Sequence, residues 1–295
     1  MSFTLVIVES PAKCKKIENY LGNNYKCIAS YGHFCQLNGL KSIDIDNNFK
    51  PTFTLMESKE QQVDKMRKMI DRADDIMLAS DHDREGEAIA WHICNQFNLP
   101  VNTTKRIIFH EITKSAIKKA VQNPTVVDMN KVNAQQARQI LDCLVGFTIS
   151  PILWANISRK SGLSAGRCQT PALRLIYERE KEIKDSTGKI VYDTIGNFTD
   201  LNIDFKLNKG INSVKKMEKF LENSVNFEHI FSKTSEKTIE KKCPLPFTTS
   251  VLQQKASNEL GFSPKQTMRY AQTLYESGLI TYMRTDSRTY SIEFI

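Results

Sequence analysis

Along the first 120 residues, short β-branched runs alternate with segments whose apolar positions recur every three or four residues. Residues 3–8 (FTLVIV) read as a buried strand. Ser10 and Pro11 then supply an N-cap and an N1 proline for a helix through about Leu21. Residues 25–30 are a second strand, 59–73 a helix and 75–79 a third strand. An acidic loop follows, and a helix runs on through about Phe97. Residues 104–109 are a strand, after which Thr113 caps another helix. Strands separated by helices predict an α/β fold with a parallel sheet covered on both faces. The functional crevice of such a sheet lies at the C-terminal ends of its strands.

From Asp128 to about Lys184 the pattern turns helical, with expected interruptions at Ser150-Pro151 and at residues 162–166. Shorter alternating pieces follow at 192–197, 203–207, 227–231 and 237–242, around one helix at 213–223. Pro244 and Pro246 break the chain. Of the two helices beyond them, the second runs from Ser263-Pro264 to Ser277 and stops at Gly278. No internal repeat or low-complexity tract is present in the sequence.

Length and composition leave room for about two domains of globular character, with 295 residues of which 40% are hydrophobic and 25% charged. The first apolar run is too short to span a bilayer and lacks the flanks of a signal peptide, which predicts a cytosolic or nuclear location and no membrane partner. Seven scattered cysteines without a CxxC pair argue against a disulfide framework or a zinc ribbon and read as reduced, mostly buried thiols. The formal charge of +8 suits a polyanionic partner, and alone it is a weak signal. No GxxxxGK[ST] occurs, so no ATP site is expected, and His110-Glu111 lacks the second histidine of HExxH.

Candidate chemistry concentrates in two places. In the loop Asp81-His82-Asp83-Arg84-Glu85-Gly86-Glu87, residues at i and i+2 project to one side, so Asp81 and Asp83 converge and Glu85 follows at the helix entry. Such carboxylates either hold a hard cation such as Mg²⁺ or form a solvated helix N-terminus favoured by the macrodipole. Glu9, at the end of the first strand, shares their rim if the strands are neighbours, and Lys13 lies one helical turn on, where backbone N–H groups attract anions. The second place is GLITYMRTDS, residues 278–287. Tyr282 and Arg284 are here either part of an ordinary turn with a buried aromatic, or a nucleophile with its phosphate clamp.

Six blocks occur in order: VIVESPAK (6–13), LASDHDREGEAIAWH (78–92), FHEIT (109–113), VNAQQARQILD (132–142), LSAGRCQTPALRL (163–175) and LITYMRTDS (279–287). Together they resemble type IA DNA topoisomerases, most closely the bacterial topoisomerase I branch, over essentially the whole chain. The resemblance implies an N-terminal toprim domain over 1–122, with 32–58 an excursion into the helical domain. A helical DNA-binding domain over 123–190, a strand-rich arch segment over 191–246 and the start of the tyrosine-bearing helical domain over 247–295 would follow.

The resemblance also implies roles. Tyr282 would take the 5′ phosphate as a phosphotyrosine, and Arg284 would stabilise the transition state. Lys13 would protonate or orient the leaving 3′ oxygen, and Glu9 would lie beside the scissile phosphate. Asp81 and Asp83, with help from Glu85 and Glu9, would bind Mg²⁺. Gln135, Arg138 and Asp142 fall on one helix face, which the resemblance makes a groove for single-stranded DNA. Gln139 stands where the family often has a second basic residue, and Phe147 where a tyrosine is common. Ser164, Ala165, Gly166, Arg167, Cys168 and Gln169 form a small-residue loop that either approaches phosphates or merely joins two helices. Trp154 reads as core or as a base-stacking ring. His33 resembles the family's GH motif near the DNA, and a lone histidine is otherwise structural. The charged helix 178–184 and the lysine pairs at 215–216 and 241–242 read as solvated faces.

The implied activity is ATP-independent, Mg²⁺-dependent relaxation of negative supercoils by passing one strand through a transient break in the other. Family members continue well beyond the tyrosine, through a downstream histidine and C-terminal zinc modules. A non-catalytic single-strand-binding fragment, or one half of a split enzyme completed by a separate chain, is therefore the competing expectation. A toprim nuclease or primase is a further one, against which the LITYMRTDS block argues.

Overall fold

The computed structural model describes residues 2–159, 162–198 and 202–289. Residues 290–295, which close the last expected domain, lie outside the described residues. The chain divides into two compact units, one built from residues 1–167 and 244–295 and the other from 168–243.

The first unit is organised around a four-stranded parallel sheet. Strand β1 (Thr4–Val8) leads through helix α1 (Pro11–Leu21) to β2 (Tyr25–Ala29). A long excursion then carries two small antiparallel ladders, β3 (Cys35–Gln36) with β6 (Thr54–Leu55) and β4 (Ile43–Asp44) with β5 (Lys50–Pro51). Helix α2 (Glu60–Ile70) returns the chain to β7 (Asp75–Ala79), followed by α3 (Arg84–Gln96), β8 (Lys105–Arg106) and α4 (Lys114–Gln122). The sheet order is β2-β1-β7-β8, with Val8 opposite both Ala29 and Ala79. Because the chain turns to opposite sides of β1, a topological switch point lies between β1 and β7, where such sheets place their sites.

Alternation along β1 fills two cores. Val6 and Val8 face a cluster with Ile17 of α1 and Ile117 of α4, while Leu5 and Ile7 face Val63 and Met66 of α2 and Ile89 and Ile93 of α3. The expected strand at 104–109 is shorter than its apolar pattern, since only Lys105 and Arg106 enter the ladder. Ser10 caps α1, its side chain accepting from the Ala12 N–H, and Thr113 caps α4.

Helix α5 (Met129–Asn156) is continuous through Pro151, against the expected break there. Phe147, whose carbonyl loses its donor to the proline, and Pro151 itself are both exposed, so water can serve the freed acceptor. In the same unit, α8 (Thr249–Leu260) and α9 (Pro264–Glu276) precede the Tyr282 segment. A full capping box between Ser263 and Gln266 starts α9, and Gly278 (φ 68°) turns the chain out of it. A side chain at 278 would also collide with the Ile112 carbonyl, 2.8 Å from the position of a Cβ.

The second unit holds α6 (Gln169–Asp185), a hairpin of β9 (Ile195–Phe198) and β10 (Ile203–Lys206), and α7 (Val214–Val225). The strands expected at 227–231 and 237–242 do not form. Their apolar residues, such as Ile230 and Ile239, are exposed and no neighbouring strand pairs with them, so alternation alone had no face to bury. The lysine pairs and the 178–184 stretch are exposed as expected. The cysteines are all unpaired, but only Cys94 is buried, while Cys168 and Cys243 are exposed. No described helix is long and apolar enough to cross a membrane.

Candidate active site

Glu9 leaves the C-terminal end of β1, and Asp81 and Asp83 leave that of β7, so parallel register puts all three on one rim. With Gln272, Arg284 and three other side chains they line a cavity of about 370 Å³. Lys13, one turn into α1, is fully buried and its ammonium contacts the Asp81 carboxylate. Asp83 is the N-cap of α3, where its Oδ1 accepts from the Gly86 N–H at 2.8 Å. Gly86 is required at this point, because a Cβ there would lie 2.1 Å from the Asp81 carbonyl oxygen.

The Tyr282 segment docks onto this rim. Its backbone N–H donates to the His110 carbonyl at 2.7 Å. The Tyr282 hydroxyl donates to Asp83 Oδ2 at 2.5 Å, and Arg284 Nη1 donates to the same oxygen at 3.1 Å and to Glu85 Oε2 at 2.7 Å. Residues almost 200 positions apart thus share one carboxylate. Burial and the bond to Asp83 push the Tyr282 phenol well above its ordinary range, so the hydroxyl stays protonated in this arrangement. Burial pulls the other way on Asp83, yet the bonds from Tyr282, Gly86 and Arg284 outweigh it and keep this carboxylate below its usual range. The phenol thus keeps its proton while donating a hydrogen bond to an ionised carboxylate.

Glu9 behaves differently. Burial first, then the neighbouring Asp81 and Asp83 charges, raise its carboxyl to about 7 despite the opposing pull of Lys13. Two cations, Lys13 and Arg284, pair with Asp81, Asp83 and Glu85, whereas Glu9 has no ion pair among the described residues and accepts a hydrogen bond from the Asp81 backbone. An all-oxygen donor set with surplus negative charge fits a hard divalent cation. Among the described residues, however, no group of three or more ligating side chains has converged into a coordination site. Asp81 is turned to Lys13, and Asp83 and Glu85 are turned to Arg284, so the expected four-ligand set is separated by the chain's own cations.

Two supports were not foreseen from the sequence. Arg106 of β8 is completely buried and donates to the carbonyls of Asp81 (2.9 Å), Ile107 (2.8 Å) and Leu78 (3.3 Å). It also pairs with buried Glu87 at 3.4 Å, whose other oxygen accepts from the Asp128 N–H at 2.7 Å. The acidic loop is thereby braced to the start of α5. An arginine opening the apolar run RIIF was the available signal. The second support, Tyr275, is one of two tyrosines along an amphipathic helix and gave no such signal.

The expected DNA contacts are spread along α5 and the loop after it. Arg138, Asp142 and Phe147 are exposed and Gln139 is half-buried. Gln135 departs from the expected face: it is buried, because the N-terminal part of α5 packs on α3. Arg167 forms an ion pair with Asp142 at 2.6 Å, and Ser150 Oγ accepts from the Ala165 N–H at 3.1 Å, so Ser164, Ala165, Gly166 and Arg167 lie against α5. Cys168 and Gln169 begin the second unit, with Gln169 opening α6. Trp154 is 45% exposed rather than core, its Nε1 donating to the Leu163 carbonyl at 2.5 Å, and it borders an open hollow of about 680 Å³ with Arg159. His33 is half-buried in the loop after β2, its basicity lowered by burial against the pull of Glu85 and Asp83.

Comparison with known proteins bears on these features together. Residues 4–112 match the toprim domain family, and residues 126–295 match the family described as DNA topoisomerase. The chain is similar to the crystal structure of full-length topoisomerase I from Thermotoga maritima. The TM-score is 0.83 at 39% identity, over 98% of this chain and 50% of that one. The chain thus spans half the length of that solved structure.

Proposed function

The chain belongs to the type IA DNA topoisomerases, and on that premise we propose that it cleaves and rejoins one DNA strand through Tyr282, without ATP. The observation that carries this reading is the shared carboxylate, with the Tyr282 hydroxyl and Arg284 both bonded to Asp83 beside Glu9 and Lys13. Tyrosine suits a reversible break because its ester with phosphate conserves the energy of the phosphodiester.

Cleavage is a transesterification. The Tyr282 oxygen bonds to phosphorus as its proton passes to Asp83 Oδ2, and the bond from phosphorus to the 3′ oxygen breaks. The products are a 5′-phosphotyrosine and a free 3′ hydroxyl, whose proton comes from the Lys13 ammonium. Arg284 exchanges part of its bonding to Asp83 and Glu85 for the phosphate, where its charge opposes the negative charge developing on the non-bridging oxygens. Religation is the same path in reverse. Glu9 and Asp81, joined by Asp83 while it is ionised, are the residues that would hold Mg²⁺, which when bound would supply positive charge beside the phosphate. The face of exposed Arg138, Asp142 and Phe147, with half-buried Arg167 beside Asp142, is the proposed path of the single strand, and relaxation of negative supercoils is the proposed outcome of strand passage.

Labelled single-stranded DNA incubated with the chain and Mg²⁺, then quenched with detergent, tests the reading. A covalent adduct is expected from the parent chain and none from Tyr282→Phe. DNA binding without any adduct would leave a binding protein instead.

A further inference from the structure

Tyr275 is used by no step above, yet it touches both ends of the cleavage chemistry. It lies on the buried face of α9 with Thr267 and Ala271 and is completely inaccessible to solvent. Its ring meets the Tyr282 ring edge to face, with centroids 5.2 Å apart at 65°, and the Lys13 ammonium lies 5.1 Å from its centroid. Lys13, itself fully buried, contacts the Asp81 carboxylate and this π face. The Tyr275 hydroxyl, also buried, has no hydrogen-bond partner among the described residues, so its ring rather than its oxygen makes the specific contacts.

Resting on the cleavage reading above, we infer that Tyr275 is a positioning residue for strand cleavage: its ring is the common wall that sets the Lys13 ammonium relative to the Tyr282 phenol. Edge-to-face aromatic pairs and cations over ring faces both have preferred geometries, so one ring engaged in both fixes the distance between its two neighbours. The chain's connectivity adds a consequence. Tyr275 and Tyr282 belong to one stretch that turns at Gly278, whereas Lys13 comes from α1. That stretch is seated by the Lys16 ammonium on the Ser277 carbonyl and by Gly278 packed against Ile112. Lys13 therefore meets its ring only when the nucleophile is seated, so cation and nucleophile are assembled together.

The test uses the parent chain, Tyr275→Phe, Tyr275→Leu, and a chain carrying pentafluorophenylalanine at 275, which keeps the ring's shape while inverting its quadrupole. Single-turnover cleavage of a labelled oligonucleotide is measured at saturating DNA with Mg²⁺, alongside DNA affinity. The Lys13 Hε resonances are followed in ¹³C-lysine protein and assigned with Lys13→Arg. Tyr275→Phe should cleave within about twofold of the parent and keep Lys13 Hε shifted upfield by the ring. Tyr275→Leu should lose that shift and cleave about tenfold slower at unchanged affinity, the size expected from losing one cation–π contact. The fluorinated chain should be slowed by a similar factor, and it answers the question if Tyr275→Leu does not fold. Adding Lys13→Ala to Tyr275→Leu should cost less than the product of the single losses. Full parental rates in Tyr275→Leu and the fluorinated chain, or a Tyr275→Phe loss equal to that of Tyr275→Leu, would overturn the inference. If the parent forms no adduct, the cleavage reading fails. The upfield shift then still decides the contact, and its absence in the parent sinks the inference independently.

Discussion

At the scale of single residues, the site is a problem in placing charge where water is scarce. Asp83 is held below the usual carboxylate range because three donors converge on it, whereas burial and the neighbouring carboxylates raise Glu9 to about 7 against the pull of Lys13. That difference predicts a pH dependence whose sign can be worked out. Glu9 titrates near 4.5 in the unfolded chain and at about 7 when folded. Between those values the folded state binds the extra proton, so stability falls as pH rises through this window and levels off above it. Allowing for the partly open face of Glu9, the loss is on the order of 2 kcal/mol. Chemical denaturation from pH 4.5 to 8 should show the Glu9 contribution as a difference between chains: Glu9→Gln should gain stability over the parent as pH rises, on a background that rises in both chains because His33, His82 and His92 are all held below their usual range by burial. A difference between parent and Glu9→Gln that does not change with pH would remove Glu9 as the group responsible. Glu9, Lys13, Asp81, Asp83, Tyr282 and Arg284 were all legible in the sequence, since each is a chemically committed residue inside a specific block. Tyr275 and Arg106 were not, because the roles of a buried ring and a buried guanidinium depend on what surrounds them.

At the scale of elements, the strand–loop–helix unit of β7, the acidic loop and α3 carries the site, and its tolerances are small. The Ser80 hydroxyl donates to the Gly86 carbonyl at 2.6 Å, Asp83 caps the helix, and Gly86 lets the first turn lie directly on the Asp81 backbone. Gly86→Ala should push the loop away, costing about 1–3 kcal/mol through overpacking, and should lower adduct formation by more than its effect on folding. Denaturant midpoints compared with adduct yields at a temperature where both chains are fully folded would show it. Equal midpoints in the two chains would mean that the loop yields without strain. Capping and period located most elements because those signals are local. They failed where solvent or missing partners decided the outcome, as at Pro151, which α5 accommodates at an exposed position, and at 227–242, where alternating residues find no sheet to join.

At the scale of the whole chain, the surplus of 41 basic over 33 acidic residues, a net +8, bears on the proposed DNA binding rather than on the proposed cleavage. Single-strand affinity should fall linearly with the logarithm of salt concentration. Removing exposed Arg138 by Arg138→Ala should reduce that slope by about 0.7 if it meets a phosphate, roughly equally for all sequences. Fluorescence-anisotropy titrations over a salt series would measure it, and an unchanged slope would take Arg138 off the DNA path. By itself the sequence determined the parallel α/β plan, the rim on which the acids gather and the tyrosine proposed as the nucleophile. Hydrophobic period, caps and reactive side chains are written locally along the chain. Only the tertiary structure decided that Asp83 receives the Tyr282 hydroxyl, that Lys13 and Arg284 occupy the carboxylates, and that the Tyr275 ring contacts both Lys13 and Tyr282. These contacts join residues up to about 260 positions apart, and burial sets their strength, so no local pattern in the sequence can encode them.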